Sequence, residues 1–147
     1  MVYEVMVTDV LARPTAVVAA TTTWREFPTL WGQLRGEVWD CLHAAGIYRG
    51  CRNAVVYLDD VPDVEVGVLL DRPFPVSGPV VASVLPAGAA ATTVHRGRFS
   101  DVGLAHLAVR QRCASRGGPV TGTRREVYGP HDDDPGHQWV EVYWLLS

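Results

Sequence analysis

Two glutamates stand among aromatic residues near the C-terminus: Glu126 two places before Tyr128, and Glu141 between Trp139 and Tyr143. Along a strand, residues i and i+2 share a face, so Glu126 goes with Tyr128. By the same alternation Trp139, Glu141, Tyr143 and Leu145 form one face, opposite Val140, Val142, Trp144 and Leu146. If the two glutamate faces coincide, two carboxylates lie among Tyr128, Trp139 and Tyr143. Such a site could hold a flat, lipophilic and commonly cationic molecule by stacking, cation–π attraction and a buried counter-charge. Two carboxylates crowded away from water can also work as an acid/base pair. Glu126 and Glu141 are therefore the candidate catalytic residues as well as the centre of a binding site. A glutamate on the face of an edge hairpin is commonly solvated; aromatic neighbours on both glutamates weigh against that here.

The elements that position these residues occur twice. Trp24 to Leu70 and His95 to Leu146 share one layout: a helical segment, a glycine, a strand containing tyrosine, a loop, and a strand ending in Leu-Leu. The interval from Gly46 to Gly117 equals that from Tyr57 to Tyr128, and beyond a longer second loop Glu65 matches Glu141. Duplicated units bury their apolar faces against each other, leaving a cleft on the pseudo-twofold seam. Val2–Val10 reads as a strand, followed by an apolar run from Thr15 to Thr22. Leu30, Leu34, Val38, Cys41, Leu42 and Ala45 recur at helical spacing behind Pro28 and stop at Gly46. Asn53–Leu58 and Val64–Leu70 make a hairpin, and the proline-dense stretch from Arg72 to Pro79 separates the copies. Val80–Leu85, Ala89–His95, a helix capped by Ser100 and carrying Leu104, Leu107, Ala108 and Cys113, then Arg124–Tyr128 and Gln138–Leu146 complete the second copy. The expected fold is α+β: a duplicated βαββ, with an antiparallel sheet of about eight strands, two long helices and a central cleft. Residues 1–147 form one domain, with pseudo-repeats of about residues 1–75 and 76–147.

At this length roughly 68–70% of the unfolded surface can be buried, so a core is available without staples. The net charge is −3, every basic residue is arginine, and only Arg124 and Arg125 are adjacent. No basic stripe exists for duplex binding, so no direct nucleic-acid partner is expected. Three cysteines without a CxxC pair indicate a reducing compartment, and no segment has the length of a membrane span or the form of a signal peptide. A cytoplasmic location follows as the expectation. The run from His131 to His137 contains metal-ligating residue types, but its Pro135-Gly136 turn reads as a solvated acidic hairpin tip. Neither a metal nor a cofactor is expected. Ser100, Asp101 and His106 hold the letters of a triad, yet no GxSxG elbow is present and a helix spreads them over diverging faces. Trp31 and Trp39 flank the stripe of the first helix, while Trp24, Trp139 and Trp144 suit either pocket walls or sheet packing. Five tryptophans exceed what a core this small needs.

Leu85-Pro86-Ala87-Gly88, His95-Arg96-Gly97-Arg98-Phe99, Gly117, Gly122, Glu126-Val127-Tyr128 and Val140-Glu141-Val142 together resemble the pattern of GyrI-like small-molecule-binding domains. These are also called AraC-type effector-binding domains and include the drug-binding part of BmrR-type regulators. The resemblance runs over nearly the whole chain. It implies a cleft between the helices over the sheet, with Glu126 as the anionic floor and Glu141 as a second acidic position. Phe99 replaces the family's usual tyrosine after the HxG motif, and no helix-turn-helix precedes the domain, as in stand-alone members. The expected ligand-binding residues are Trp31, Trp39, Tyr57, Phe99, Tyr128, Trp139 and Tyr143, and the expected partner is an aromatic or cationic small molecule. Three functions follow from the resemblance: capture of aromatic drug-like molecules in toxin or antibiotic resistance, hydrolysis of the cyclopropane ring of DNA-alkylating natural products by carboxylate-activated water, or inhibition of a protein partner. An exposed edge strand could also pair two copies into a dimer.

Overall fold

The computed structural model describes residues 2–130 and 133–147. Ten regular elements run in the order β1 (Met6–Val10), β2 (Arg13–Thr21), α1 (Phe27–Ala44), β3 (Arg52–Tyr57), β4 (Asp63–Leu69), β5 (Val81–Leu85), β6 (Gly88–Arg96), α2 (Gly103–Arg116), β7 (Val120–Tyr128) and β8 (Trp139–Leu146). All eight strands join one antiparallel sheet in the order β1-β6-β8-β7-β3-β4-β2-β5.

The order is a palindrome of the two copies about the β3–β7 pair, except that the first strand of each copy has crossed over. β1 lies against β6 of the second copy, and β5 lies against β2 of the first. In the central pair Val55 faces Glu126. The repeat interval equates these same two residues, so the pseudo-twofold axis passes between them.

Both helices pack on one face of the sheet, α1 over β2 and β4, α2 over β6 and β8. Leu34, Val38 and Leu42 of α1 and Ala105 and Val109 of α2 bury against Val55, Val66, Val68, Val140 and Val142. Burying one such aliphatic side chain is worth about 1.5–3 kcal/mol. A smaller apolar cluster of Ala54, Val56, Leu69, Leu85 and Val127 lies on the other face. This second layer is why the central strands read as continuous apolar runs rather than clean alternations.

The helix punctuation is partly as expected. α1 ends in a Schellman turn: Gly46 has φ +81°, its N–H donates to His43 O at 3.0 Å, and Ile47 N–H donates to Leu42 O at 2.9 Å. Ser100 does not cap α2, because a 3-10 turn over Phe99–Asp101 precedes the helix and Val102 takes the cap position without a side-chain bond. β1 starts at Met6 rather than Val2. Upstream of it Tyr3 donates its hydroxyl proton to Nδ1 of His95 (2.8 Å), whose Nε2–H donates to Arg98 O (2.7 Å). His95, 1% exposed, thus latches the N-terminal segment to the turn before α2. Among the described residues no helix is long and apolar enough to cross a membrane.

Candidate functional site

β7 delivers the central residue. Glu126 lies on the helix-covered face, 3% exposed, at the pseudo-twofold axis. Its Oε1 accepts a hydrogen bond from each copy's tyrosine, Tyr57 Oη at 3.1 Å and Tyr128 Oη at 2.6 Å. Its Oε2 lies 2.6 Å from His106 Nε2. The other imidazole nitrogen, Nδ1, accepts from the Trp144 indole N–H at 2.9 Å, so Nε2 carries the proton and donates to the carboxylate. Four side chains from β3, β7, α2 and β8 are therefore locked around one carboxylate by directional bonds.

Aromatic rings extend in both directions from this centre. On one side Trp31 and Phe99 pack on Tyr128, with centroids 5.5 and 5.0 Å away. On the other, Trp24 and Phe27 pack on Tyr57, each with centroids 5.4 Å away. The second side opens into a cavity of about 340 Å³ lined by Trp24, Tyr57, His106, Arg124, Glu126 and Trp144, with Arg110 and Asp60 also on its wall. The Arg124 guanidinium lies 5.4, 5.5 and 5.0 Å from the ring centroids of Trp24, Tyr57 and Trp144. It is tethered by Asp60 (2.7 Å) and by Gly122 O (2.9 Å). An internal cation thus already sits in an aromatic cage beside the buried anion.

Burial, followed by the charge and hydrogen bond of Glu126, pushes the Tyr57 hydroxyl far above the ordinary tyrosine range, against the opposing charge of Arg124. Tyr128 is raised for the same leading reasons, with Tyr57 adding to the shift and Arg35 opposing it. Both phenols stay protonated donors at neutral pH.

The second carboxylate is elsewhere. In the β7–β8 register Glu126 faces Val142 and Val127 faces Glu141, so Glu141 lies on the face away from the helices. Trp139 and Tyr143 go with it, and the coincidence of the two glutamate faces does not hold. Glu141 pairs with Arg52 at 2.7 Å and accepts the Tyr143 hydroxyl at 2.6 Å, while Arg52 lies over Trp139 at 4.6 Å. Burial, then the hydrogen bond and charge of Glu141, raise Tyr143 to about 12, opposed by Arg125 and Arg52. Its repeat mate Glu65 also points away from the helices and is bonded by Ser83 Oγ at 2.7 Å. Trp39 packs against the helix-face core, its indole donating to Asn53 Oδ1 at 2.7 Å and its ring against His43.

Of the residues expected to line the cleft, the structure gathers Glu126, Tyr57, Tyr128, Trp31 and Phe99, places Trp139, Glu141 and Tyr143 on the other face of the sheet, and turns the Trp39 indole to Asn53. Arg124 and His106 join the site without having been anticipated. His106 had been set aside with the triad, and only its contact with β7 across the fold gives it a role. The alternation that places Arg124 on the face of Glu126 was a signal for the former. In the acidic loop, His131 and Asp132 lie outside the described residues; among the described residues no cluster of three or more potential metal ligands occurs.

No protein-family model matches the chain, and no curated protein matches it. Solved structures do. The crystal structure of the EcmrR C-terminal domain matches with a TM-score of 0.81 at 17% identity, covering 100% of this chain and 99% of that one. SAV2435, in a structure with tetraphenylphosphonium bound, matches with a TM-score of 0.68 at 12% identity, over 100% of this chain and 94% of that one. A hydrolase from Listeria innocua matches with a TM-score of 0.60 at 11% identity, over 98% and 92%. At these identities the likeness is one of fold, and it extends from end to end. With the crossed palindromic sheet and both helices on one face, the chain shares the fold of the EcmrR C-terminal domain and of SAV2435.

Proposed function

We propose that the chain captures a small aromatic, lipophilic molecule in the cleft beside Glu126, as a sequestering protein in toxin or antibiotic resistance. The observation that carries this reading is a carboxylate 3% exposed, held by three neutral donors and lining a cavity walled by Trp24, Tyr57 and Trp144. A buried anion among aromatic faces is complementary to a delocalised cation, which loses little hydration on entering. The tetraphenylphosphonium bound to SAV2435, a protein of the same fold, supports this ligand class. Titration with tetraphenylphosphonium, followed by tryptophan fluorescence, tests it. Saturable quenching that Glu126→Gln weakens by roughly tenfold or more is expected. Quenching indifferent to that substitution would overturn the role of Glu126.

The second reading is hydrolysis of a strained cyclopropane, and it draws on one geometric detail. Among the described residues, Oε2 of Glu126 has only His106 as donor, which leaves a lone pair free to take a proton from water. Water oxygen would bond to one ring carbon as the strained C–C bond breaks, with the water's proton passing through Glu126 to the part of the same molecule that takes the bonding electrons. With Glu141 on the opposite face, Glu126 acts alone in this scheme. Incubation with a cyclopropane-bearing alkylator and mass spectrometry decides: a product heavier by one water and lost in Glu126→Gln supports turnover, and unchanged ligand leaves capture alone.

A further inference from the structure

The face of the sheet away from the helices holds a second charged cavity that the cleft does not use. Arg125, next to Glu126 on β7 but pointing the other way, is 4% exposed. Its hydrogen bonding is confined to Nη1–H donating to Pro86 O at 3.2 Å, and its buried Nε finds no acceptor. Among the described residues no carboxylate pairs with it. Glu141, on the same face, is already held by Arg52 and Tyr143, and the Arg125 guanidinium instead lies 5.1 Å from the Tyr143 ring centroid. Arg13, at the start of β2, lines the same cavity and likewise makes no ion pair among the described residues. The cavity measures about 240 Å³; Glu141 and Tyr143 also line it, and its remaining wall is aliphatic, from Val10, Leu11, Leu69, Leu85 and Val127.

A guanidinium buried without an anion is costly, and a donor left without an acceptor adds to that cost. Burial leads in pulling the Arg125 pKa below the ordinary arginine value and the charge of Arg13 adds to it, while Tyr143 opposes both. A bound anion would relieve the burial penalty and the mutual repulsion together. Of the charged residues that line it, Arg13 and Arg125 outnumber Glu141, whose own charge is met by Arg52, so the site carries excess positive charge. The planar guanidinium fork matches a carboxylate in two parallel bonds, whereas the aliphatic wall has nothing to offer a fully hydrated inorganic anion. We infer that this cavity binds a small organic carboxylate, its headgroup held between Arg125 and Arg13 and its apolar body packed on Leu69, Leu85 and Val127. The site lies on the other side of the sheet from the cleft, and its occupancy does not depend on what the cleft takes.

Titration of the full chain with hexanoate, hexanol and inorganic phosphate, read by calorimetry and by the arginine Nε–H resonances in nitrogen-15 NMR, tests the inference. Hexanoate should bind saturably and shift the Arg125 Nε signal. Arg13→Gln, at an exposed position, should weaken it roughly tenfold with folding unchanged. Arg125→Met should abolish binding, and Arg13→Gln decides should that variant fail to fold. Glu126→Gln, on the opposite face, should leave hexanoate binding as it is. Hexanol binding as tightly as hexanoate would overturn the role of the arginines. Phosphate binding as tightly would overturn the organic specificity, and a flat titration or an indifferent Arg13→Gln would overturn the site itself.

Discussion

Glu126 owes its setting to donors drawn from both copies: Tyr57 and Tyr128 occupy equivalent places in the repeats and converge on one oxygen at the symmetry axis. Val55 fills the mate position, so a symmetric scaffold carries one charge instead of two. The tyrosines link the site to alkaline stability. Their folded pKa values lie above the unfolded value of about 10, so above that pH the unfolded chain loses protons that the folded one keeps. The stabilisation is complete below about pH 10 and is lost as pH rises toward the folded values, by about 1.4 kcal/mol per pH unit for each tyrosine. Urea unfolding at pH 9 and pH 11 should show this decline, and Tyr57→Phe should make it shallower. An unchanged slope in Tyr57→Phe would mean that Tyr57 ionises alike in both states. Arg124 supplies a second test at this scale, since its guanidinium occupies the ring faces that a cationic ligand would use. Arg124→Gln should tighten tetraphenylphosphonium binding, opposite in sign to Glu126→Gln. Weaker binding would mean that Arg124 shapes the cage rather than blocking it.

At the scale of elements, the helices were legible because the spacing of Leu34, Val38 and Leu42 is a local pattern and Gly46 is a local stop. The start of α2 was not: Phe99 to Asp101 form a 3-10 turn whose placement depends on the buried His95 latch, a contact with the N-terminal segment. The hairpin of β7 and β8 closes under a similar constraint. An added Cβ at Gly129 would run into the Trp139 indole, so the ring lies flush on that backbone. Gly129→Ala should therefore push Trp139 off its seat over Arg52 and cost about 1–3 kcal/mol. The denaturation midpoint and tryptophan emission should both shift, while affinity in the cleft on the opposite face stays as it was. Altered cleft affinity would show that β7 transmits strain between its faces.

For the whole molecule, the crossing of β1 and β5 matters most, because each copy lends an edge strand to the other. Neither half can complete its own sheet. Peptides of residues 1–75 and 76–147 should each lack cooperative unfolding by circular dichroism and should regain it when mixed. A half that melts cooperatively alone would show that the exchange is dispensable. The duplication, the α+β class and the place of Glu126 beside Tyr128 on one strand face were determined by sequence alone, since repeat spacing, helical period and residue type are all local properties. Alternation likewise separates the two faces of each strand. It says nothing about which face of β7 meets which face of β8, because that depends on the hydrogen-bond register between strands, and a shift of one residue exchanges the faces. Only the tertiary structure, through the pairing of Glu126 with Val142, put Glu126 under the helices and Glu141 on the far side, so that two carboxylates expected together stand apart.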